Sequence, residues 1–429
     1  MRFYLKIIAC FWYITAPAQS IRAYFNQPVD NTLCATADAH YTPHVEDTIA
    51  AYINQATASL EIAIYDNTST LIMNAINAAA NRGVQVRYIT NQSSNVNGLQ
   101  ANIPTVKRND GLTTNKVHDK FAVIDANLPT KAFIITGSMN WKENSIQQDY
   151  NNVVYVKSYS IAQAYLGEFN EMWAGRFGAN KTNTTTSMHT VDNSIVEVYF
   201  SPIQPTTSKI QQALATAQQA AYVGVFTITK NELGNAIIDL KNANKTVAVI
   251  TENIDPVLYF GNEYNNLVNA GVNTLAHNTI AGYFHHKYAI VDPFQASTAK
   301  VITGSHNWTV SAANEFDENT LIIHNPRIAQ EYYEEFATRY QQLTASIIDA
   351  SILDFKASIN NHSELEILLS TSLQNLEIQL VDLQGKVLKI NDITDGSTTI
   401  NIQDIPSGMY VVGIYNNKKL VAIQKIILP

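Results

Sequence analysis

The octapeptide HDKFAVID at 118–125 recurs as HHKYAIVD at 285–292. Each copy is followed by a second short motif, GSMNW at 137–141 and GSHNW at 304–308, and the spacing between octapeptide and motif is the same in both copies. A single His-x-Lys pair would carry little information, whereas two matching pairs with matching polar motifs are not expected by chance. The sequence therefore predicts an internal duplication that supplies two histidines and two lysines.

The duplication extends beyond these motifs. The sequence IAQ, with a tyrosine and a phenylalanine behind it, occurs at 161–169 and again at 328–336. This period is far longer than that of a solenoid, so each copy is a domain-sized unit. Two such units pair most simply about a pseudo-twofold axis, as in a dimer fused into one chain. Residues near that axis occur twice, and we expect both His-x-Lys pairs to share one cleft within a monomer.

Hydrophobic periodicity alternates between strand and helix patterns within each copy. In the first copy, strands are predicted at 60–65 and 84–90 and a helix at 71–82, which ends at a glycine. This alternation favours α/β units with a mixed, largely buried sheet. The predicted organisation is a first unit at 21–177, a linker rich in Thr, Asn and Ser at 178–193, a second unit at 194–345 and a small all-β sandwich at 358–429.

The first twenty residues have the pattern of an export signal. Arg2 and Lys6 precede a short apolar run at 7–16, and small residues end the segment at Ser20. This order is typical of a secretory signal peptide, and the run is too short to span a membrane. After its removal only Cys34 remains, which excludes disulfides within one chain and multi-cysteine zinc sites.

The overall composition is that of a folded, acidic protein. Hydrophobic residues make up 46% of the chain, charged residues 15%, and the formal net charge is −8. A negative chain is not suited to non-specific nucleic-acid binding, which depends on Lys and Arg at phosphates. A local basic cleft is still compatible with this balance.

The repeated residues match the requirements of attack on a phosphodiester. Lys120 and Lys287 can neutralise the non-bridging oxygens. Of the two histidines, His118 and His285, one can attack phosphorus while the other protonates the leaving oxygen. No carboxylate cluster that would hold a metal is evident, so neither a metal nor a cofactor is expected. Further candidates are the phosphate donors of the second motif and the motif aspartates, which either orient a turn or tune the site: Ser138, Asn140, Ser305, Asn307, Asp125 and Asp292.

These motifs resemble the signature of the phospholipase D superfamily, a doubled His-x-Lys-x4-Asp followed by Gly-Ser-x-Asn. The resemblance covers about 21–345 and implies a pseudo-twofold α/β fold. It also implies a metal-independent mechanism through a phosphohistidine, with His118 as the nucleophile and His285 as the acid.

The superfamily also tends to carry an acidic residue after the Gly-Ser-x-Asn motif, where it orients a catalytic histidine. Glu318 matches this position in the second copy, whereas Asn151 stands there in the first. This departure leaves one histidine without a clear carboxylate partner, and Asp149 or Asp317 are the candidate replacements.

The tail resembles another known domain. VDLQGKV at 381–387 and IPSGMY at 405–410 are similar to the C-terminal sorting domain of type IX secretion in Bacteroidetes. The resemblance implies export across the outer membrane and contact with the secretion machinery. The alternative is an ordinary carbohydrate-binding or spacer sandwich.

Together these patterns predict a secreted or cell-surface hydrolase of the phospholipase D type that releases a head group from a phospholipid, so its expected partners are a phospholipid or a membrane surface. The first alternative is a secreted nuclease of the same superfamily, which would bind nucleic acid. A third is a non-catalytic surface protein with a degenerate site, although the motif residues are intact in both copies.

Overall fold

The structure is a computed structural model that describes residues 19–34, 37–108, 116–182, 185–252, 261–350, 355–360, 364–369, 376–382, 387–393, 397–416 and 419–428. Apart from its last two residues, the predicted signal peptide lies outside the described residues. No helix of the described chain is both long and apolar enough to cross a bilayer.

The first unit is built from β-strands and α-helices in alternation, as its periodicity predicts. Its elements are β1 (Ile21–Phe25), β2 (His40–Tyr41), α1 (Val45–Ile53), β3 (Ser59–Ile64), α2 (Thr70–Asn81), β4 (Gln85–Thr90), β5 (Thr105–Lys107), β6 (Lys120–Ile124), β7 (Phe133–Gly137), α3 (Glu143–Gln147), β8 (Asn152–Val156) and α4 (Tyr159–Trp173).

The second unit repeats most of this order. Its elements are β9 (Met188–Val191), β10 (Ser194–Ser201), α5 (Thr206–Ala215), β11 (Ala220–Val225), α6 (Asn231–Asn242), β12 (Thr246–Thr251), α7 (Tyr264–Asn269), β13 (Asn273–Ala276), β14 (Lys287–Val291), β15 (Lys300–Gly304), α8 (Val310–Asn314), β16 (Glu318–His324) and α9 (Pro326–Ala350).

The two sheets have the same topology. Among the described residues, the first sheet runs β2-β1-β8-β7-β6-β3-β4-β5 and the second runs β13-β12-β11-β14-β15-β16-β10-β9, so the shared seven strands have one common order. In the first sheet, β3 pairs in parallel with β4 and antiparallel with β6, the strand that carries the first motif. In the second sheet, β11 pairs in the same way with β12 and with the motif strand β14. The predicted duplication and mixed α/β fold are confirmed.

The motif strands are buried on both faces. β6 (KFAVI) and β14 (KYAIV) are nearly continuous hydrophobic runs, as expected for strands covered from both sides. Helices α1 and α2 cover the outer face of the first sheet, and α5 and α6 that of the second. Helices α4 and α9 each contact strands of both sheets, within a core that both units share. This packing holds the starts of β6 and β14 in one place.

A belt of hydrogen bonds joins the two units with the same geometry on each side of the pseudo-twofold axis. The side-chain oxygen of Asn319 accepts from Thr136 (2.9 Å) and Tyr165 (3.1 Å), and its Nδ2 donates to Asp119 (2.8 Å). Asn152 of the first unit makes the equivalent hydrogen bonds to the second unit. Its side-chain oxygen accepts from the hydroxyls of Thr303 and Tyr332 at 3.2 Å each, and its Nδ2 donates to His286 Nδ1 at 3.1 Å.

Replacing Asn319 or Asn152 by alanine is expected to lower the free energy of unfolding by about 2–4 kcal/mol, because several buried polar groups lose their partner together. Denaturant unfolding measures this. Asn81→Ala, at the exposed end of α2, is the matched control, with an expected change within about 0.5 kcal/mol. Equal stabilities for all three variants would show that the belt does not hold the units together.

The described residues of the segment 178–193, which was expected to be a linker, are instead folded onto the two units. β9 pairs antiparallel with β10 as an edge strand. The Gly178 backbone amide donates to Asp317 Oδ1 at 2.8 Å, and Lys181 is buried against the carboxylates of Glu168 and Asp317. β9 lies at the edge of the second sheet, and alternate residues along it are exposed.

The tail forms two small sheets around one core. Its strands are β17 (Phe355–Ile359), β18 (Glu364–Leu369), β19 (Leu376–Val381), β20 (Val387–Ile393), β21 (Ser397–Asn401), β22 (Gly408–Asn416) and β23 (Lys419–Leu428). Sheets β17-β18-β21 and β20-β19-β22-β23 bury a common set of aliphatic side chains. The all-β prediction is confirmed, although β17 begins before the expected boundary at 358. The sequence Asn416-Asn417 before Lys418 predicts a tight hairpin turn, and residues 417 and 418 lie outside the described residues.

Candidate active site

Backbone pairing between the units brings the two motifs together. The His118 amide donates to the Asp317 carbonyl at 2.9 Å, and the His285 amide donates to the Tyr150 carbonyl at 3.0 Å. The backbone of His118 therefore pairs with the residue before Glu318, and the backbone of His285 pairs with the residue before Asn151. In both cases the two partners belong to different units. As a result, the orienting residue of one unit faces the histidine of the other.

The two histidines have different partners. His118 Nδ1 lies 3.1 Å from Glu318 Oε1, which is an ion-pair distance although the two groups are not aligned for a hydrogen bond. His285 Nδ1 lies 3.0 Å from Asn151 Oδ1. Asp149 and Asp317, the candidate replacements for a second carboxylate, are engaged elsewhere, by the Tyr283 amide and by Arg108. The asymmetry between carboxylate and amide therefore persists in the folded protein.

Each lysine is fixed by its own histidine segment. Lys120 Nζ donates to the His118 carbonyl at 2.7 Å, and Lys287 Nζ donates to the His285 carbonyl at 2.6 Å. Each lysine is thereby tied to the segment that carries its histidine, which lies two residues before β6 or β14 begins.

The two histidines and two lysines, His118, Lys120, His285 and Lys287, form one cluster. Burial and the repulsion between its cations dominate the pKa values of these four side chains. Burial lowers the pKa of Lys120 to about 7 and lowers the pKa of Lys287. Burial, followed by the nearby lysines, holds the pKa of His118 and that of His285 well below the usual value. Burial raises the pKa of Glu318, against the opposing effect of the two lysines. An anionic phosphate placed here would favour the charged forms of the lysines and histidines.

The hydroxyls of the two serines in the second motif, which were predicted to bind the phosphate, are engaged within the protein. Ser138 Oγ donates to Asn151 Oδ1 at 2.8 Å and accepts from the Asn152 amide at 3.0 Å. Ser305 Oγ accepts from the Asn319 amide at 3.0 Å. Both hydroxyls are fully buried and hold the orienting segments in place.

The asparagines of the second motif differ from the serines. Asn140 and Asn307 are held near the cluster, and the side-chain oxygen of each is buried without a hydrogen-bond partner among the described residues. Their amide groups therefore remain the candidates for binding a phosphate oxygen.

The motif aspartates do not reach the histidines. Asp125 lies at the opposite end of β6 from Lys120, where its carboxylate accepts the backbone amides of residues 57–59 at 2.6–3.0 Å. Asp292 accepts the amides of residues 218–220 at 2.7–2.8 Å in the same way. These hydrogen bonds fix the turn before β3 or β11 and lower the pKa of both carboxyl groups. Of the two roles considered for them, the structure favours the structural one over the catalytic one.

Two aromatic rings next to the cluster were missed in the sequence. The Tyr65 ring lies 5.1 Å from the His118 ring and 5.5 Å from Lys120 Nζ, and the Phe226 ring lies 5.0 Å from the His285 ring and 5.2 Å from Lys287 Nζ. Both follow the last residue of a central strand, so aligning β3 with β11 would have identified them.

A cleft of about 600 Å³ opens beside His285. Its lining includes Asn140, Asp149, His285 and Phe226, and also residues that the sequence did not single out: Lys142, Glu252, His277, Asn278, Ile280 and Tyr283. Within the described residues, no group of three or more His, Cys, Asp or Glu side chains is arranged to hold a metal ion.

Comparison with known families gives two matches. The family model described as cardiolipin synthase, PLD-like domain matches residues 49–173 and 210–340, one segment in each unit and together more than half of the chain. The model described as a secretion system C-terminal sorting domain matches residues 361–429.

Individual relatives cover parts of the chain. The mitochondrial cardiolipin hydrolase of Xenopus tropicalis is 34% identical over 142 residues, which are 33% of this chain and 64% of that protein. The phospholipase D of Rickettsia prowazekii is 24% identical over 190 residues, 44% of this chain and 81% of that protein. The chain spans about three fifths of the length of the cardiolipin hydrolases that it matches.

Among solved structures, phosphatidylserine synthase from Haemophilus influenzae superimposes with a TM-score of 0.52 at 12% identity. The match covers 75% of this chain and 86% of that chain. At this identity the match supports the two-unit fold and nothing finer.

Proposed function

The chain belongs to the family of cardiolipin synthase and PLD-like domains, and we propose that it is a secreted phosphodiesterase of the phospholipase D type that hydrolyses the head-group ester of a phospholipid. The observation that carries this proposal is the composite cluster: His118 beside Glu318, His285 beside Asn151, and the two lysines next to them. Neither unit supplies this set alone.

In the first half of the proposed reaction, neutral His118 attacks phosphorus. The bond between phosphorus and the head-group oxygen breaks, and protonated His285 gives its proton to the leaving oxygen. Lys120 and Lys287 stabilise the non-bridging oxygens as negative charge builds up. The product is a phosphatidyl group on His118, whose positive imidazolium is stabilised by the Glu318 carboxylate.

In the second half, His285 is neutral and removes a proton from water. The water oxygen attacks phosphorus, the bond between phosphorus and His118 breaks, and phosphatidate leaves. Burial and the lysines lower the pKa of His285. The protonated His285 that the first half requires is therefore supplied only when the bound diester anion raises this pKa again.

A nuclease is the second candidate. Lys116 Nζ lies 5.6 Å from both the Tyr65 and Phe316 rings, beside His118. A cation between aromatic rings is a surface on which single-stranded nucleic acid can stack. The net charge of −8 weighs against a purely electrostatic attraction to such a polymer.

One assay separates the two candidates. The purified mature protein is incubated with vesicles of mixed glycerophospholipids and, separately, with single-stranded DNA, and released head groups and oligonucleotides are quantified. We expect phosphatidate and free head group. Cleavage of DNA without release of any head group would replace the lipid assignment by the nuclease.

The sorting domain, matched at 361–429, supports export through type IX secretion. Ending the chain after Ala350, where α9 ends, is expected to leave a folded and active hydrolase that is not released from the native cell, because the removed strands have a core of their own. Fractionation of cells and medium, with the full-length chain as control, measures release. Normal secretion of the truncated protein would contradict the sorting role, and a folded but inactive product would assign the sandwich to substrate binding.

A further inference from the structure

The two histidines lie in surroundings that differ in charge. Asn91 and Glu252 occupy equivalent positions, because a side-chain oxygen of each accepts a backbone amide at the start of its histidine segment: that of Val117 at 3.3 Å and that of Phe284 at 2.8 Å. The pseudo-twofold axis therefore relates a neutral amide beside one histidine to a carboxylate beside the other.

The same contrast occurs at two further positions. Phe316, whose ring lies 6.3 Å from the His118 ring, corresponds in the other unit to Asp149. Lys116, which sits between the Tyr65 and Phe316 rings, corresponds to Tyr283. Among the described residues, and apart from Glu318 at the histidine itself, the surroundings of His118 are aromatic and cationic, whereas those of His285 carry two carboxylates together with Lys142.

Those carboxylates are fixed in the wall of the cleft beside His285. Glu252 Oε2 lies 3.0 Å from His277 Nδ1, and the Glu252 side chain keeps 13% of its surface exposed. Asp149 accepts from the Tyr283 amide and from the Ser145 hydroxyl, each at 3.1 Å. The positive charge in this wall, Lys142, lies 3.6 Å from Asp66 and is partly neutralised there.

Aromatic groups complete the wall. The Tyr283 ring lies 5.9 Å from the Phe226 ring, edge to face, and is 58% exposed. A small ammonium group is stabilised by carboxylates and by the faces of aromatic rings. An anionic group in the same place would face Asp149 and Glu252 in a partly desolvated cleft.

We propose that the cleft beside His285 is the subsite of the leaving alcohol and that it selects a small ammonium alcohol over an alcohol that carries a phosphate. This inference rests on the proposed function, in which His285 protonates the leaving oxygen, so that the alcohol leaves on the His285 side. The ammonium group takes no part in the bond changes. The selection disfavours both cardiolipin, whose leaving alcohol is phosphorylated, and a nucleic-acid strand.

The test uses monomeric short-chain substrates, which remove any effect of the membrane surface. Rates are measured as kcat/KM for dihexanoyl phosphatidylethanolamine, dihexanoyl phosphatidylglycerol, a short-chain cardiolipin and bis(p-nitrophenyl) phosphate, whose leaving group needs no subsite. For the unaltered protein we expect the ethanolamine diester to be cleaved fastest of the three lipids and cardiolipin slowest.

Two substitutions separate charge from folding. Glu252→Gln keeps the acceptor for the Phe284 amide but removes the charge, and is expected to lower kcat/KM for the ethanolamine diester about tenfold. The same variant should change the rate on phosphatidylglycerol and on the nitrophenyl diester less than about twofold. Glu232→Gln, on an exposed carboxylate of α6, is the charge-matched control and should change none of the rates.

Three results would overturn the inference. If cardiolipin is cleaved as fast as the ethanolamine diester, Asp149 and Glu252 do not select the leaving alcohol by its charge. A Glu252→Gln variant that loses activity equally on all four substrates would assign Glu252 to structure. Failure of the unaltered protein to cleave any of the diesters, including the nitrophenyl compound, would remove the proposed function itself.

Discussion

Replacing His118 or His285 by alanine is expected to reduce phospholipid hydrolysis by on the order of a thousandfold or more, each on its own. The reason is that the cluster contains one nucleophile and one acid, and neither unit holds both. Initial rates of head-group release measure the loss. His44→Ala, on a histidine whose side chain is 74% exposed, is the control and should keep full activity.

A chelator is expected to leave the rate of the unaltered protein nearly unchanged, since each proposed step uses a histidine or a lysine. Full activity in either histidine variant would contradict a single composite site. So would a loss of activity with chelator that an added metal restores.

The second large effect is expected at the orienting residues. Glu318→Gln should lower the rate roughly a hundredfold, because the amide cannot stabilise the positive imidazolium of a phosphorylated His118. Asn151→Ala should cost no more than about tenfold, since it removes one neutral hydrogen bond to His285. Parallel measurement of the two variants decides this, and equal losses would mean that the difference between carboxylate and amide has no consequence.

The pH dependence follows from the same pair of histidines. The nucleophile must be neutral, so the rate falls on the acid side as His118 is protonated, below its lowered pKa. The acid must be protonated, so the rate falls on the alkaline side as His285 loses its proton. The profile is therefore bell-shaped, and its two apparent pKa values belong to the coupled pair. A profile without an acid limb would contradict neutral His118 as the attacking group.

The duplicated octapeptide was sufficient to predict the architecture. Two buried hydrophobic strands at a constant spacing, each beginning with His-x-Lys, require two equivalent sheets, and the common strand order has this form. The shift from Asn151 to Glu318 between the copies was also visible in the sequence. Which histidine each of them faces was not, because the exchange of partners arises from backbone pairing between the units.

Other features depend on the tertiary structure. Ser138 and Ser305 are small polar residues next to the site, and their sequence does not show that their hydroxyls point back into the chain. Glu252 and His277 lie outside the motifs and become neighbours only because β12 and β13 pair in parallel. Composition alone also fails at 178–193, where a polar stretch contains the edge strand β9.

The covalent intermediate is the most direct test of the central claim, that His118 attacks phosphorus and His285 acts as acid and base. His285→Ala is mixed with bis(p-nitrophenyl) phosphate, whose leaving group departs without a general acid, and the reaction is stopped in alkali, in which phosphohistidine is stable. We expect a burst of about one nitrophenol per enzyme and a mass-spectrometric adduct on His118. An adduct on any other residue, or continued turnover without an adduct, would contradict it.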